Sequence, residues 1–423
     1  MPARLLYSLL LYLLLPAILL RLCWRALRAP AYARRWGERF GRVAPLSGTV
    51  IWVHAVSVGE ALAALPLIRR LQASQPQARL LVTTTTPTGS ALVRAQLGDG
   101  VAHCYAPYDF PHVVRRFLDR VRPALLIVME TELWPNVLHG CARRGIPVVL
   151  ANARLSARSA AGYGRVAALT RPMLAALTRV AAQTRADGER FLALGLEPER
   201  LHVTGNIKFD LDLDTALRER AHQLRAAWRG EVRPIWLAAS THEGEDESVL
   251  AAHRQLLAAR PDALLVLVPR HPERFARVHA LCTDQGFRTL RHSAGRPLAA
   301  DTQVLLGDTM GELLAFCGAA DLVFVGGSLV PVGGHNLIEP AAWGKPVLSG
   351  PEVFNFVEAA RLLEAGGGLR ICAAGAALAD AVVELLDQPE RRAAMGAAAH
   401  AVAEANRGAL ARLEALIAPL CPR

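Results

Sequence analysis

Residues able to move protons or hold anions recur in this 423-residue chain where short apolar runs give way to helical patterns. His54-Ala55-Val56-Ser57-Val58-Gly59-Glu60 comes first. A carboxylate opening a helix after a strand can accept a proton from an incoming hydroxyl. Two other readings fit the same residues. Glu60 could simply complement the helix dipole, or Ala55-x-Ser57-x-Gly59 could imitate the nucleophile elbow of α/β-hydrolases, with Ser57 activated by helix amides. Thr83-Thr84-Thr85-Thr86-Pro87-Thr88-Gly89 is an anion-friendly turn. Glu130-Thr131-Glu132-Leu133-Trp134-Pro135-Asn136 sets two carboxylates just past an apolar strand, where burial is costly without a partner or a substrate. Glu132 and Asn136 can also be read as helix caps; Glu130 points to a site. Lys208, in Gly205-Asn206-Ile207-Lys208-Phe209-Asp210, is one of only two lysines, the other being Lys345. Asp210-x-Asp212 resembles a metal-binding pair, but its charge-rich setting reads as a solvated linker face, and no metal ligand set is expected.

A second group of turns suits a nucleotide. Pro269-Arg270-His271-Pro272 follows one apolar run, and Gly307-Asp308-Thr309-Met310-Gly311-Glu312 follows another. The latter is expected to open a helix whose free amides hold a phosphate. Gly326-Gly327-Ser328 and Gly333-Gly334-His335 lead into Asn336-Leu337-Ile338-Glu339, with Glu339 placed for a ribose diol. Three such turns at successive strand ends form a nucleotide-site signature, although each alone is also an ordinary β–α connection.

The elements that must position these residues are α/β. Strands are expected at 50–54, 80–84, 124–129 and 147–151, with a helix over 60–71, and again at 235–239, 264–268, 304–306, 322–325 and 346–348. Two doubly wound parallel sheets would face a central cleft outside the carboxyl ends of their strands. The expected divisions are an apolar anchor with a basic flank (1–48), an acceptor domain (49–208), a linker (209–233), a nucleotide-sugar domain (234–373) and carboxyl-terminal helices (374–423), whose alanine-rich tail, 374–418, could pack back across the first half.

Composition narrows the partners. The net charge of +11 is carried almost wholly by arginine, whose planar fork suits phosphate and carboxylate. Aromatics are only 6% and are not interleaved with the basic residues, so nucleic acid is not expected. Seven cysteines stand singly, which argues against a zinc site or disulfide framework. Leu5 to Leu20 carries no charge and is followed by Arg21, Arg25, Arg28, Arg34, Arg35, Arg39 and Arg42. That pattern fits either a span with a cytoplasmic carboxyl side or a helix lying in one leaflet, its arginines on anionic phospholipid.

The ordered blocks HAVSVGE, TTTTPTG, YAPYDFP, ETELWPN, ANARLS, GNIKFD, PRHPERF, GDTMGEL, FVGGS and GGHNLIEPAAWGKPV resemble those of the bacterial 3-deoxy-D-manno-octulosonic acid (Kdo) transferases, from the amino terminus to about residue 360. The resemblance implies a GT-B-type, metal-independent, inverting glycosyltransferase of the inner membrane, facing the cytoplasm and needing no cofactor. It would use CMP-Kdo as donor and the lipid A precursor as acceptor. It also implies Glu60 as proton acceptor, Glu130 and Lys208 in transition-state stabilisation, and Pro269, Arg270, Met310, Gly311, Glu312, Asn336, Leu337, Ile338 and Glu339 in binding CMP. The alternatives from other classes are a GT-B transferase of UDP-sugars, a membrane-bound serine hydrolase using Ser57, and a non-enzymatic scaffold.

Overall fold

The computed structural model describes every residue except Met1, Ala374 and Arg423, and the expected boundary at 374 therefore lies outside the described residues. The chain forms two compact units, Met1–Asp210 with Arg407–Arg423, and Leu211–Asn406.

The first unit is built on seven parallel strands: β1 (Val50–His54), β2 (Arg79–Thr84), β3 (Ala102–Tyr105), β4 (Pro123–Met129), β5 (Val148–Ala153), β6 (Arg179–Ala182) and β7 (Leu201–Val203), in the order β3-β2-β1-β4-β5-β6-β7. The second carries β8 (Ile235–Thr241), β9 (Leu264–Pro269), β10 (Thr289–Arg291), β11 (Val304–Leu306), β12 (Leu322–Val325), β13 (Val347–Ser349) and β14 (Leu369–Ile371), in the order β10-β11-β9-β8-β12-β13-β14. Central strands β1, β4, β5, β8 and β9 are buried almost throughout, which is why they read as continuous apolar runs. Helices cover both faces of the first sheet. Trp52, Phe117 and Leu126 pack on one side; Ile51, Ile68 and Leu413 pack on the other.

In a parallel sheet every strand leaves at the same edge, so topology alone gathers the loops after β1 and β4 within the first unit, and those after β8, β9, β11 and β12 within the second. The strand order reverses between β1 and β4 in the first unit, and between β8 and β12 in the second. Those are the places where adjacent loops diverge and leave a crevice.

Several expectations are revised. Residues 209–233 are not simply a linker, because helix Thr215–Ala227 packs against helix Leu313–Ala319 within the second unit. Of the carboxyl-terminal helices, Gly375–Asp387 and Pro389–Ala405 stay with the second unit, and only Ala409–Ile417 packs on the first. The GDTMGE segment opens a helix only through its last residue: Gly307 to Gly311 are loop, and Glu312 is the N-cap of helix Leu313–Ala319. Asp210 is not a solvated linker carboxylate either: its two oxygens accept from the backbone amides of Gly408 (2.5 Å) and Leu410 (2.6 Å).

The apolar amino terminus is two helices, Pro2–Leu13 and Leu15–Arg28, bent by 50° at their junction. Among the described residues no single helix is long and apolar enough to cross a membrane. Leu5, Leu6, Leu9, Leu10, Leu13 and Leu14 are all at least half exposed. The polar side of the first helix docks on the unit through Arg4 Nη1 donating to Asn136 Oδ1 (2.9 Å), Asn136 Nδ2 donating to Ser8 Oγ (3.1 Å) and the Tyr12–His112 hydrogen bond (2.6 Å).

Because Asp210 caps the last helix, Asp210→Ala should lower stability by about 1–2 kcal/mol, as loss of a helix cap does. Thermal unfolding should show a fall of a few degrees, whereas Asp212→Ala should leave the transition in place.

Candidate active site

Glu60 stands in the first turn of helix Val58–Ser74, immediately after β1. Ser57 is the N-cap: its hydroxyl accepts from the Glu60 amide (3.2 Å) and donates to Glu60 Oε1 (2.9 Å), while the Val56 amide donates to Oε2 (2.8 Å). The capping reading of Glu60 is thus satisfied, and Ser57 is committed to that cap. Yet the carboxylate is only 8% exposed. Burial pushes its pKa up to about 7, the two hydrogen bonds opposing and the nearby negative charges of Glu132 and Glu130 reinforcing the rise. A carboxylate poised near neutrality is suited to accept a proton.

Glu130 follows β4, on the other side of the strand-order reversal, and Lys208 lies in the short 3-10 turn Ile207–Phe209 after β7. Lys208 Nζ donates to Glu130 Oε1 at 2.9 Å, with both side chains about four-fifths shielded. Glu130 has φ +54°, a left-handed backbone uncommon for a residue with a Cβ. Asn152, fully buried at φ +53°, accepts the Ile207 amide on its side-chain oxygen (3.1 Å) and so fixes the turn that aims Lys208. Such strained positions persist where the surroundings over-determine them and cluster at functional sites.

A relay of side chains that the motifs alone did not assign braces this edge. Thr83 Oγ1 accepts from Trp52 Nε1 (2.8 Å) and pairs with His54 Nδ1 (2.8 Å). The His54 ring meets Trp134 edge-on at 4.8 Å, and Trp134 Nε1 donates to Glu132 Oε2 (3.0 Å). Burial depresses the His54 pKa to about 4, so the ring is neutral. The histidine opening the HAVSVGE block was the available signal.

In the second unit, Pro269 ends β9 and Arg270 follows it, its amide donating to Thr241 O (3.0 Å). Met310 is exposed, and Gly311 takes φ +85°. Glu312 binds Arg220 (2.7 Å), Thr309 (2.7 Å) and His292 (3.2 Å). Burial raises its pKa, but the Arg220 and Thr309 hydrogen bonds and the His292 charge outweigh it and hold the group below the usual range. Asn336 closes a local turn by accepting the Ile338 amide and donating to Glu339 Oε1 (both 3.0 Å). Leu337 and Ile338 are almost wholly buried, so their side chains belong to the core. Burial pushes the Glu339 pKa up, against Asn336 and Arg270.

Two features here were not singled out from the sequence. Glu245, fully buried, accepts four backbone amides, from His242 (2.8 Å), Gly327 (2.6 Å), Ser328 (2.9 Å) and Leu329 (2.8 Å), and so shapes the glycine turn after β12. Gly326 is required there, since a Cβ would lie 2.8 Å from Thr241 Cα. His242 and His335 stack with their Nε2 atoms 2.8 Å apart, and His271 meets His242 edge-on at 5.3 Å. Burial, then Arg270 and the neighbouring rings, lowers the His335 pKa to about 4. A hydrogen bond between the two Nε2 atoms needs one ring to donate and the other to accept.

A 3-deoxy-D-manno-octulosonic acid transferase of Haemophilus influenzae is 46% identical over 99% of this chain and 99% of its own length. The chain belongs to the Kdo transferases. The family model described as 3-deoxy-D-manno-octulosonic-acid transferase (kdotransferase) matches residues 34–211, and the 3-deoxy-D-manno-octulosonic acid transferase of Bordetella pertussis is 43% identical over 97% of this chain and 98% of its own. The solved UDP-GlcNAc 2-epimerase of Neisseria meningitidis covers 86% of this chain and all of its own at a TM-score of 0.56; at 16% identity it shows the fold alone, two parallel-sheet α/β domains of GT-B kind. This Kdo transferase is therefore a glycosyltransferase, and the hydrolase and scaffold readings fall away.

Glu245→Gln puts an amide NH2 against backbone N–H donors. It should destabilise by about 3 kcal/mol, the cost of leaving buried polar groups mispaired. Denaturant unfolding of the full chain should show it, with Glu243→Gln, on the exposed loop, as the neutral control.

Proposed function

We propose that this Kdo transferase moves Kdo from CMP-Kdo to the 6′-hydroxyl of the lipid A precursor in lipopolysaccharide synthesis, inverting the anomeric centre with Glu60 as base. The observation that carries this reading is the carboxylate of Glu60: buried, held by only two donors, and raised to about 7 beside a strand-order reversal.

In the reaction, Glu60 takes the proton of the acceptor hydroxyl as its oxygen attacks the ketal carbon of Kdo. The bond from that carbon to the cytidylate phosphate breaks on the opposite face, and CMP leaves with the electron pair. The intervening state is oxocarbenium-like. Glu130 and Lys208 sit as an ion pair whose field can follow the shifting charge. Arg270, the loop Met310–Glu312 and the turn Asn336–Glu339 hold CMP, in a domain of about 234–373, while residues 49–208 receive the acceptor. CMP carries a single phosphate, so arginine and backbone amides suffice without a divalent cation.

The exposed leucines of the two bent amino-terminal helices, together with the arginines that follow, favour a helix pair lying in one leaflet of the inner membrane rather than a straight span. The catalytic units would then face the cytoplasm, next to a lipid-borne acceptor and anionic phospholipid head groups.

Glu60→Ala should lower turnover by ~10²–10⁴ and leave CMP-Kdo binding nearly intact; near-normal turnover would remove Glu60 from the mechanism. Activity should rise with pH through a limb near 7, because the raised pKa keeps the base protonated below it. In Glu132→Gln one of the neighbouring negative charges is gone, so the Glu60 pKa falls and the limb should move to lower pH. A pH–rate profile of that variant unshifted from the native one would show that Glu132 does not tune the base.

A further inference from the structure

Two grooves that the transfer chemistry does not use lie side by side beneath the first amino-terminal helix. One, of about 720 Å³, runs between helices Pro111–Val121 and Pro135–Ala142 and is bordered by Arg4, Arg115, Arg143, Arg144, His112 and His139. Among the described residues no carboxylate lines it. The other, of about 150 Å³ and more enclosed, is walled by Pro135, Ala142, Leu169, Pro172, Met173 and Ala176. Arg4 and His139 border both, so the cationic space opens directly onto the apolar one.

The charge is partly committed, since Arg144 pairs with Asp119 at 2.6 Å and Arg4 donates to Asn136. Arg115 and Arg143 are exposed. Burial and then the adjacent arginines depress the pKa of both His112 and His139, a sign that the groove is electropositive. The helix above presents exposed Leu5, Leu6, Leu9, Leu10 and Leu13. A phosphate-bearing head group satisfies guanidinium forks. A free phosphate would leave the apolar groove unfilled, whereas one acyl chain would fill it and gain burial.

We propose that this double groove binds one anionic phospholipid molecule, its phosphate among Arg4, Arg115 and Arg143 and the proximal part of one acyl chain between Ala142 and Met173. The inference rests on the leaflet-docking reading above and adds to it a discrete site for a single lipid, apart from the acceptor.

The test uses the full chain mixed with vesicles of phosphatidylcholine, with or without phosphatidylglycerol. Sedimentation first reports docking; release into mild detergent and intact-mass measurement then report retained lipid. The native protein and an Arg296→Glu control, on the second unit, should each keep one phosphatidylglycerol and no phosphatidylcholine. Arg115→Glu/Arg143→Glu should lower the retained fraction about tenfold, as loss of charge-assisted contacts predicts. Ala142→Trp, which fills the apolar groove and leaves the charge alone, should do the same. All three variants change exposed residues, and circular dichroism checks their folding. Retention that is equal in native and groove variants, or absent from a native protein that does sediment, overturns the lipid site alone. Displacement of the lipid by inorganic phosphate also overturns it, in favour of a simple anion site. Failure to sediment with either vesicle sinks the docking reading on which the site rests.

Discussion

A carboxylate removed from water needs hydrogen-bond donors in place of its hydration shell, and how many it finds decides what it can do. Each unit places one such group just after its first strand. Glu245 finds four backbone amides, two on each oxygen, and its lone pairs are largely occupied. It is a clamp that gathers the turn after β12 onto the loop after β8. Glu60 finds only the Val56 amide and the Ser57 hydroxyl, and it faces the repulsion of Glu130 and Glu132. Its proton affinity therefore rises instead of being quenched. The same topological position thus yields a clamped structural anion in one sheet and a carboxylate of raised proton affinity in the other.

The parallel sheets make this arrangement possible, because the strand-order reversal sets loops from distant parts of the chain side by side without a long connection. In the first unit the reversal adjoins β1 and β4, which deliver Glu60 and Glu130. Lys208 arrives from the opposite end of the sheet, after β7, and needs a further device. That device is Asn152 on β5, whose side chain holds the Ile207 amide. Both Asn152 and Glu130 adopt left-handed backbone, each costing on the order of 1 kcal/mol or more. The ion pair between Glu130 and Lys208 is thus set by two strained residues rather than by flexible search.

What the sequence made legible follows from burial. The central strands are covered on both faces, so 50–54, 235–239, 264–268, 304–306 and 322–325 stood out as apolar runs within a residue or two of their ends. Outer and short strands did not. Ala102–Tyr105, Arg179–Ala182, Leu201–Val203, Thr289–Arg291 and Leu369–Ile371 mix polar and apolar residues because one side meets solvent or a loop. In the candidate site, residues marked by unusual motifs were visible. Glu245 was not, because three of its four partners lie more than eighty positions away and all are backbone amides, which leave no trace in residue type. Asp210 was misjudged for the same reason: the amides that it caps come from the far end of the chain.

Asn136 joins two parts of the first unit that would otherwise be independent. Its backbone amide, like that of Val137, donates to the buried Asp109 carboxylate (3.0 and 2.8 Å), and its side chain donates to the Asp109 carbonyl (2.6 Å). The same side chain accepts from Arg4, on the helix with the exposed leucines. It closes the loop that begins at Glu130, six residues earlier in the chain. A rigid polar junction at this point means that tilting the apolar helix must either break buried hydrogen bonds or carry the Glu130–Asn136 loop with it. The first is costly, so the orientation of the helix and the placement of the loop form one mechanical unit. The orientation of the helix therefore bears directly on where Glu130 and Glu132 stand around Glu60.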